Sequence, residues 1–273
     1  MIIICLPTPV KKNTKPDLSN IRNAFAEIYK KIKKGQLIIL ESTTYPGTTR
    51  DIIAKKISSK FHIGNDYFVS YSPERENPGG NMPYANITKI CAGFSNKCLT
   101  LSRNLYLQVV KKVVPAKSLE EGEMVKLLEN VYRSVNIGLV NELKIISKSM
   151  KLDINNVIKL ASTKPFGFQS FYPGPGVGGH CIPIDPYYLY WRAKQFNKNA
   201  RFINLAAKVN EETTKWVINQ IFTILKKYKI NFKRAKVLVL GLAYKKKYRG
   251  YKRVCWFKNS KGFVKKEYSS KLF

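Results

Sequence analysis

Histidine and acid are scarce in this sequence. Two histidines (His62 and His180) and 17 Asp plus Glu stand against 49 Lys plus Arg, a formal net charge of +32 over 273 residues. The five cysteines, Cys5, Cys91, Cys98, Cys181 and Cys255, are scattered, with no CxxC pair and no histidine cluster. That spacing argues against a disulfide framework or a structural zinc site and points to a reducing, cytoplasmic setting. No apolar run approaches the roughly 20 residues of a membrane helix; the longest are pieces such as residues 237–243. The opening MIIICLPTPVKK puts its charge after the apolar stretch, the reverse of a secretory signal. The one GxGxxG spelling, GPGVGG at 174–179, lies in a Gly/Pro-rich loop and is not a strand–turn–helix unit.

What is present is the composition of a globular chain, with 44% apolar and 12% aromatic residues. Its length suits one or two domains. The charge is uneven: residues 226–273 hold 17 Lys or Arg and one acid, 16 of the net +32. Such a chain attracts nucleic acid, anionic lipid or acidic substrates at low salt. A lysine-heavy composition with a basic tail explains the excess without a specific nucleic-acid partner, which is not expected.

Short β-branched apolar runs at 2–6, 37–40, 67–71 and 88–92 read as strands. Between them, apolar residues at Leu18, Ile21, Phe25, Ile28 and Ile32 form a helical stripe with Asp17 as its cap. Helices are also predicted over 50–57, capped by Thr48 or Thr49, and over 96–109. This alternation predicts an α/β region with a parallel sheet over residues 1–115. The character then changes to all-α. One long helix runs from 118 to 150, opened by a capping box of Ser118 and Glu121, and shorter ones follow at 155–161, 187–195 and 200–227. A strand at 236–240 begins something else. The domains expected are 1–116, 117–228 and 229–273.

In parallel α/β sheets ligands sit beyond the carboxyl ends of the strands. LPTP (6–9), STTYPGTT (42–49) and SPERENPGG (72–80) fall there, as ligand loops or as ordinary turns. The stretch PGPGVGGHCIPIDP (173–186) is richer: four glycines permit close backbone approach, Cys181 follows, and Asp185 lies four residues on. A free thiol of pKa near ~8.5 becomes a nucleophile where cations or N–H groups raise its thiolate fraction; a small buried residue is the alternative. Lys126 and Asn130, four apart on a helix, point the same way and suit an oxyanion, or else a solvated face. His180 shapes the loop or serves as a base, and His62 reads as incidental.

Together CLPTPV, ESTTYPGTT, YSPERENPGG, VKLLENVYRSVNIGLVNEL, PGPGVGGHCIPIDPYYLYW and VLVLGLAYKK resemble the UDP-glucose/GDP-mannose (nucleotide-sugar) 6-dehydrogenase family, in its order, from residue 2 to about 246. The wording around Cys181 looks closest to the branch acting on UDP-N-acetylglucosamine or its mannosamine epimer. The resemblance implies a partial Rossmann-like NAD-binding domain, a central helical domain and the beginning of a second α/β, UDP-binding domain. It implies NAD as cofactor, a UDP-sugar as substrate, a homodimer through the central helices, and a role in making surface polysaccharide precursors. The implied reaction oxidises the sugar C6 alcohol to a carboxylate in two hydride transfers through a thiohemiacetal and a thioester on Cys181. Lys126 and Asn130 would stabilise the oxyanion, Asp185 and Thr43 would position water, and Glu74 would act as base. Pro7, Thr8, Pro9, Ser42 and Thr43 match the cofactor side; Glu74, Lys126, Asn130, Gly178, Gly179 and Lys245 match the substrate side. No metal is implied.

Two departures bear on activity. The family's opening strand–GxGxxG–helix unit has no counterpart here, and after GLAYKK the chain turns into a basic stretch, 247–273, unlike family sequence. A chain truncated at both ends, with impaired turnover, is therefore expected; a non-catalytic, helix-mediated association module is the alternative.

Overall fold

The computed structural model describes residues 1–11, 14–77, 80–179, 181–232, 235 and 237–238. Five strands, β1 (Ile2–Ile4), β2 (Leu37–Leu40), β3 (Phe68–Tyr71), β4 (Lys89–Gly93) and β5 (Val113–Pro115), form one sheet in that order. β1, β2 and β3 are mutually parallel, with Ile3 beside Ile39 and Ile39 beside Ser70. These strands are continuous apolar runs because both faces of the sheet are covered; Ile38, Ile39, Leu40, Val69 and Tyr71 are fully buried. α1 (Ser19–Tyr29) links β1 to β2 and buries Ile21 and Phe25. Asp17 accepts the Ser19 N–H at 3.0 Å just ahead of it.

The sheet is mixed, however, and not parallel throughout: β4 runs antiparallel to β3, with Ser70 beside Gly93. A parallel return needs a crossover, usually helical. Between β3 and β4 the described chain has only loop and a short 3-10 turn, Tyr84–Asn86. The helix expected over 50–57 is a π-helical segment, Thr49–Ala54, closing into α2 (Lys55–Ile57); the Lys55 N–H reaches the Arg50 carbonyl five residues back. β5, parallel to β4, has three residues, too few to show a period in sequence. α3 (Asn96–Tyr106) starts at Ser95, whose hydroxyl accepts the Cys98 N–H.

α4 (Leu119–Ser149) opens with the predicted capping box. Ser118 Oγ accepts the Glu121 N–H at 3.1 Å, and the Glu121 carboxylate takes the Lys117 N–H at 2.8 Å, one residue earlier than the motif's usual partner. Gly122 lies against the sheet: a Cβ there would come within 3.1 Å of both Ala92 Cβ and Tyr71 Cδ1. α5 (Ile154–Ala161) is capped by Asp153, which accepts the Asn155 N–H at 2.9 Å. α6 (Asp185–Gln195) and α7 (Arg201–Lys227) complete the helices, and Asp185 belongs to the first turn of α6 instead of the loop before it.

The described residues form two compact units, one within 1–134 and 181–204 and the other within 135–179 and 205–238. The first holds the sheet and the main core, in which Tyr71, Leu119, Leu127, Ile184 and Tyr188 join the strand residues. In the second, Val140, Ile154 and Ile158 pack with Phe171. There Asn141 donates to Asn210 Oδ1 and accepts the Gly174 N–H, each at 2.9 Å. Gly176, at φ +116°, has no room for a side chain, since a Cβ would collide with Thr214 Oγ1. Its glycine thus serves the packing of its loop on α7. Of the strand expected over 236–240, only Val237 and Leu238 are described; residues 239–273 lie outside the described residues. Among the described residues no helix is long and apolar enough to cross a membrane.

Candidate active site

Because β1, β2 and β3 are parallel, the loops that follow them leave one edge of the sheet. Ser42 ties two of these loops together: its hydroxyl accepts the Leu6 N–H at 2.8 Å. Pro7 accepts from Asn20 Nδ2 at 2.9 Å, and the Pro9 carbonyl accepts the Tyr188 hydroxyl at 3.2 Å. Thr8 is buried beside them and Thr43 is half-buried on the loop after β2.

α4 supplies one working face. Glu123, Lys126, Asn130 and Arg133 recur at three- and four-residue intervals and so line one side of the helix. The buried Glu123 carboxylate accepts the N–H of Gly47 at 2.6 Å and both the N–H and hydroxyl of Thr49 at 2.7 Å. It thereby fastens the loop after β2 to α4. Burial pushes its carboxyl up to about 7 against the pull of those three hydrogen bonds. Lys126 Nζ donates to the main-chain carbonyl of Glu74. Asn130 Nδ2 donates to Asp185 Oδ2, and Asn130 Oδ1 accepts from Arg133.

α6 supplies the other groups. The N–H groups of Ile184 and Asp185 donate to the Cys181 carbonyl at 3.1 and 2.8 Å, a turn that sets Cys181 directly ahead of the helix. Asp185 is 2% exposed. Burial pushes its carboxyl up to about 7, although the charge of Lys126, the Asn130 hydrogen bond and Arg133 all pull it down. Cys181 is an exposed residue. Partial dehydration of its sulfur and the charge of Asp185 nevertheless raise its pKa above the ordinary thiol value, against Lys126 and Arg133. The cations act as the sequence suggests but do not prevail, so the resting sulfur is a thiol.

These signs give a measurable expectation. At about pH 8 the alkylation rate follows the thiolate fraction. Asp185→Asn removes the charge that opposes the thiolate and should speed iodoacetamide labelling of Cys181 by roughly 3–10-fold; Lys126→Met should slow it by a similar factor. Peptide-resolved mass spectrometry of timed samples reads both.

Glu74, Lys126, Asn130, Cys181 and Asp185 therefore all belong to the first unit, linked by the contacts above. Gly178 and Gly179 belong to the second, where Gly179 is buried at φ +84°. Lys245 lies outside the described residues. Sequence reading missed Arg133 and Glu123; the available signal was their helical spacing from Lys126 and Asn130.

Residues 1–110 match the NAD binding domain of the UDP-glucose/GDP-mannose dehydrogenase family, and residues 120–212 match that family's central domain. The chain belongs to the UDP-glucose/GDP-mannose dehydrogenase family. It is 38% identical over 248 residues to Protein CapL of Staphylococcus aureus, a match covering 89% of this chain and 58% of that protein. It is 35% identical over 249 residues to the UDP-N-acetyl-D-glucosamine 6-dehydrogenase of Pseudomonas aeruginosa, covering 90% and 58%. The solved structure of UDP-D-ManNAc dehydrogenase from Pyrococcus horikoshii superposes with a TM-score of 0.83 at 35% identity, covering 89% of this chain and 58% of that one. This member of the family thus spans about 58% of the length of these relatives. The α/β, Rossmann-like architecture read from the sequence is the family's.

Proposed function

We propose that the chain carries the thiol chemistry of an NAD-dependent 6-dehydrogenase acting on UDP-N-acetylglucosamine or UDP-N-acetylmannosamine, in the cytoplasm, for surface polysaccharide precursors. The observation that carries this reading is the hydrogen bond from Asn130 of α4 to Asp185, on the turn that holds Cys181, with the Lys126 charge acting on the same sulfur. The shared edge bearing Pro7, Thr8, Pro9, Ser42 and Thr43 fits NAD, since parallel α/β sheets take dinucleotides at the carboxyl ends of their strands. NAD, when bound, accepts the hydride of each oxidation.

The chain's own groups do the rest. Asp185 takes the Cys181 proton as sulfur adds to the C6 aldehyde carbon, and the Lys126 ammonium and Asn130 amide hold the resulting alkoxide. Once that carbon has lost its hydride, a thioester links it to Cys181. Water placed by Asp185 and Thr43 then cleaves the thioester and restores the thiol. The sequence reading gives the base of this last step to Glu74. Its environment favours another assignment. Burial raises the Glu74 pKa, but the charge and hydrogen bond of Lys89 and the N–H groups of Glu76 and Arg75 outweigh it and hold the carboxyl below its usual range. Such an anion is a weak base, so Asp185, having released the Cys181 proton to solvent, takes the water proton and passes it to the departing sulfur, while Glu74 holds Lys126 in place. Gly178, Gly179 and Lys245 remain on the substrate side of this reading. A homodimer through the central helices belongs to it too, supported by the exposed Leu139, Leu143 and Ile146 of α4 and Ile224 of α7.

The test is a quenched reaction with protein and UDP-sugar at comparable concentrations and NAD in excess, because slow turnover is expected. The products should be the UDP-uronate and two NADH per uronate, with one epimer preferred. Absence of uronate from both sugars would reject the reading.

A further inference from the structure

Lys89 is the least expected charge in the first unit. It stands on β4, and its side chain is 2% exposed. Its ammonium donates to Glu41 Oε1 at 2.9 Å, Glu74 Oε2 at 3.0 Å and the Tyr84 hydroxyl at 3.1 Å, which uses all three of its hydrogens. The Tyr106 ring lies beneath it at 4.9 Å, and the Tyr106 hydroxyl donates to Glu41. The Cys5 thiol donates to the other Glu41 oxygen at 3.1 Å. Cys5 follows β1, Glu41 follows β2 and Glu74 lies on the loop after β3. One lysine from the antiparallel strand thus gathers the ends of all three parallel strands. Glu74 is further fixed by the N–H groups of Arg75 and Glu76, at 2.8 and 2.7 Å. Its main-chain carbonyl, in turn, receives the Lys126 ammonium.

We infer that Lys89 is a positioning residue: by pinning the Glu74 carboxylate it fixes the main-chain carbonyl that aims Lys126 at the Cys181 thiol. The inference rests on the reading of Cys181 as the nucleophile. Lys89 touches neither the sulfur nor Asp185, yet removing it should change the sulfur's chemistry. With Lys89 absent, Glu41 and Glu74 repel each other, the 72–77 segment shifts, and Lys126 loses its anchor. The charge of the paired ammonium is secure across the working pH range: burial opposes it, but Glu41, Tyr84 and Glu74 together raise the Lys89 pKa above its ordinary value.

The experiment is the pH profile of Cys181 alkylation by iodoacetamide, resolved by peptide mass spectrometry. The wild-type chain is compared with Lys89→Met, Lys89→Arg, Lys126→Met and the Lys89→Met/Lys126→Met double variant, with thermal melting confirming the fold of each. Lys89→Met should move the Cys181 profile to higher pH and slow labelling at about pH 8 by about 3-fold or more. Lys89→Arg should restore most of the rate. The double variant should label no more slowly than Lys126→Met alone, because the effect passes through Lys126. If Lys89→Met does not fold, Glu74→Gln weakens the same pairing and should shift the profile in the same direction. An unshifted Cys181 profile in the folded variant, or effects of Lys89→Met and Lys126→Met that simply multiply, would overturn the inference. Alkylation needs neither sugar nor NAD. A failure here therefore leaves the uronate result standing, and a failure to make uronate leaves this result standing.

Discussion

Cys181→Ala is expected to lower uronate formation by on the order of 10³-fold or more, the usual scale for loss of a covalent nucleophile. Its first oxidation should survive in part. On the proposed reading, no group on Cys181 is needed to take a proton and a hydride from an alcohol, whereas the second oxidation starts from the tetrahedral carbon that the sulfur forms on the aldehyde. Product analysis should show the balance move from two NADH per uronate toward one NADH per aldehyde. Cys98→Ser makes the natural comparison: its sulfur is buried in the sheet core, beside the Val69 N–H at 3.4 Å, and its loss should change stability while leaving the product ratio alone. Equal loss of both oxidations in Cys181→Ala would mean that the thiol shapes the site without bonding to substrate.

The second large effect concerns stability. Glu123→Ala would leave two buried N–H groups and a hydroxyl, those of Gly47 and Thr49, without their acceptor. At roughly 1–3 kcal/mol for each buried unpaired group, with some relief from entering water, the cost should be about 3–5 kcal/mol. For a chain of this size that lowers the melting temperature by about 10 °C. Glu120→Ala, one turn earlier, breaks a half-exposed pair with Arg50 at 2.6 Å and should cost about 1 kcal/mol or less. The contrast also depends on pH. The Glu123 carboxyl titrates at about 7 in the folded chain, above its unfolded value. The folded state thus binds more protons between those two values, and this group's contribution falls as pH rises through them. The alanine variant lacks that term, so its deficit should be larger at about pH 5 than at about pH 8. Melting curves at the two pH values check both the size and the sign.

The parts of this molecule that announce themselves in sequence are those whose signals are local. β2 stands where its apolar run ends, Ser118 and Glu121 cap α4, and the alternation of strand and helix marks the α/β part. The motif order likewise names Cys181, Lys126, Asn130, Asp185 and Glu74. Long-range partners are silent by comparison. Lys89 reads as one more lysine among many, because its carboxylates lie 48 and 15 residues earlier in the chain and no periodicity connects them. The antiparallel turn of β4 follows from the missing crossover after β3, a feature of a segment whose Pro and Gly content suggests only a loop. The sign of the thiol's pKa shift is silent in sequence for a different reason: it depends on dehydration, which raises both Cys181 and Asp185 and which no residue spacing records.

Gly122 ties folding to chemistry in an unusual way. A glycine inside a long helix carries a penalty of roughly 0.5–1 kcal/mol relative to alanine. Here its bare backbone faces Tyr71 and Ala92, and an added carbon would lie only 3.1 Å from each, so the neighbours would have to give by a few tenths of an ångström. That close approach, with the Glu123 hydrogen bonds and the burial of Leu119 and Leu127, seats the start of α4 on the first unit. Drift toward a better helix former at this position gains rigidity along the rod while raising it off its bed. The same methyl would then gain helix stability and lose fit against the sheet, which places residue 122 at a balance between the two.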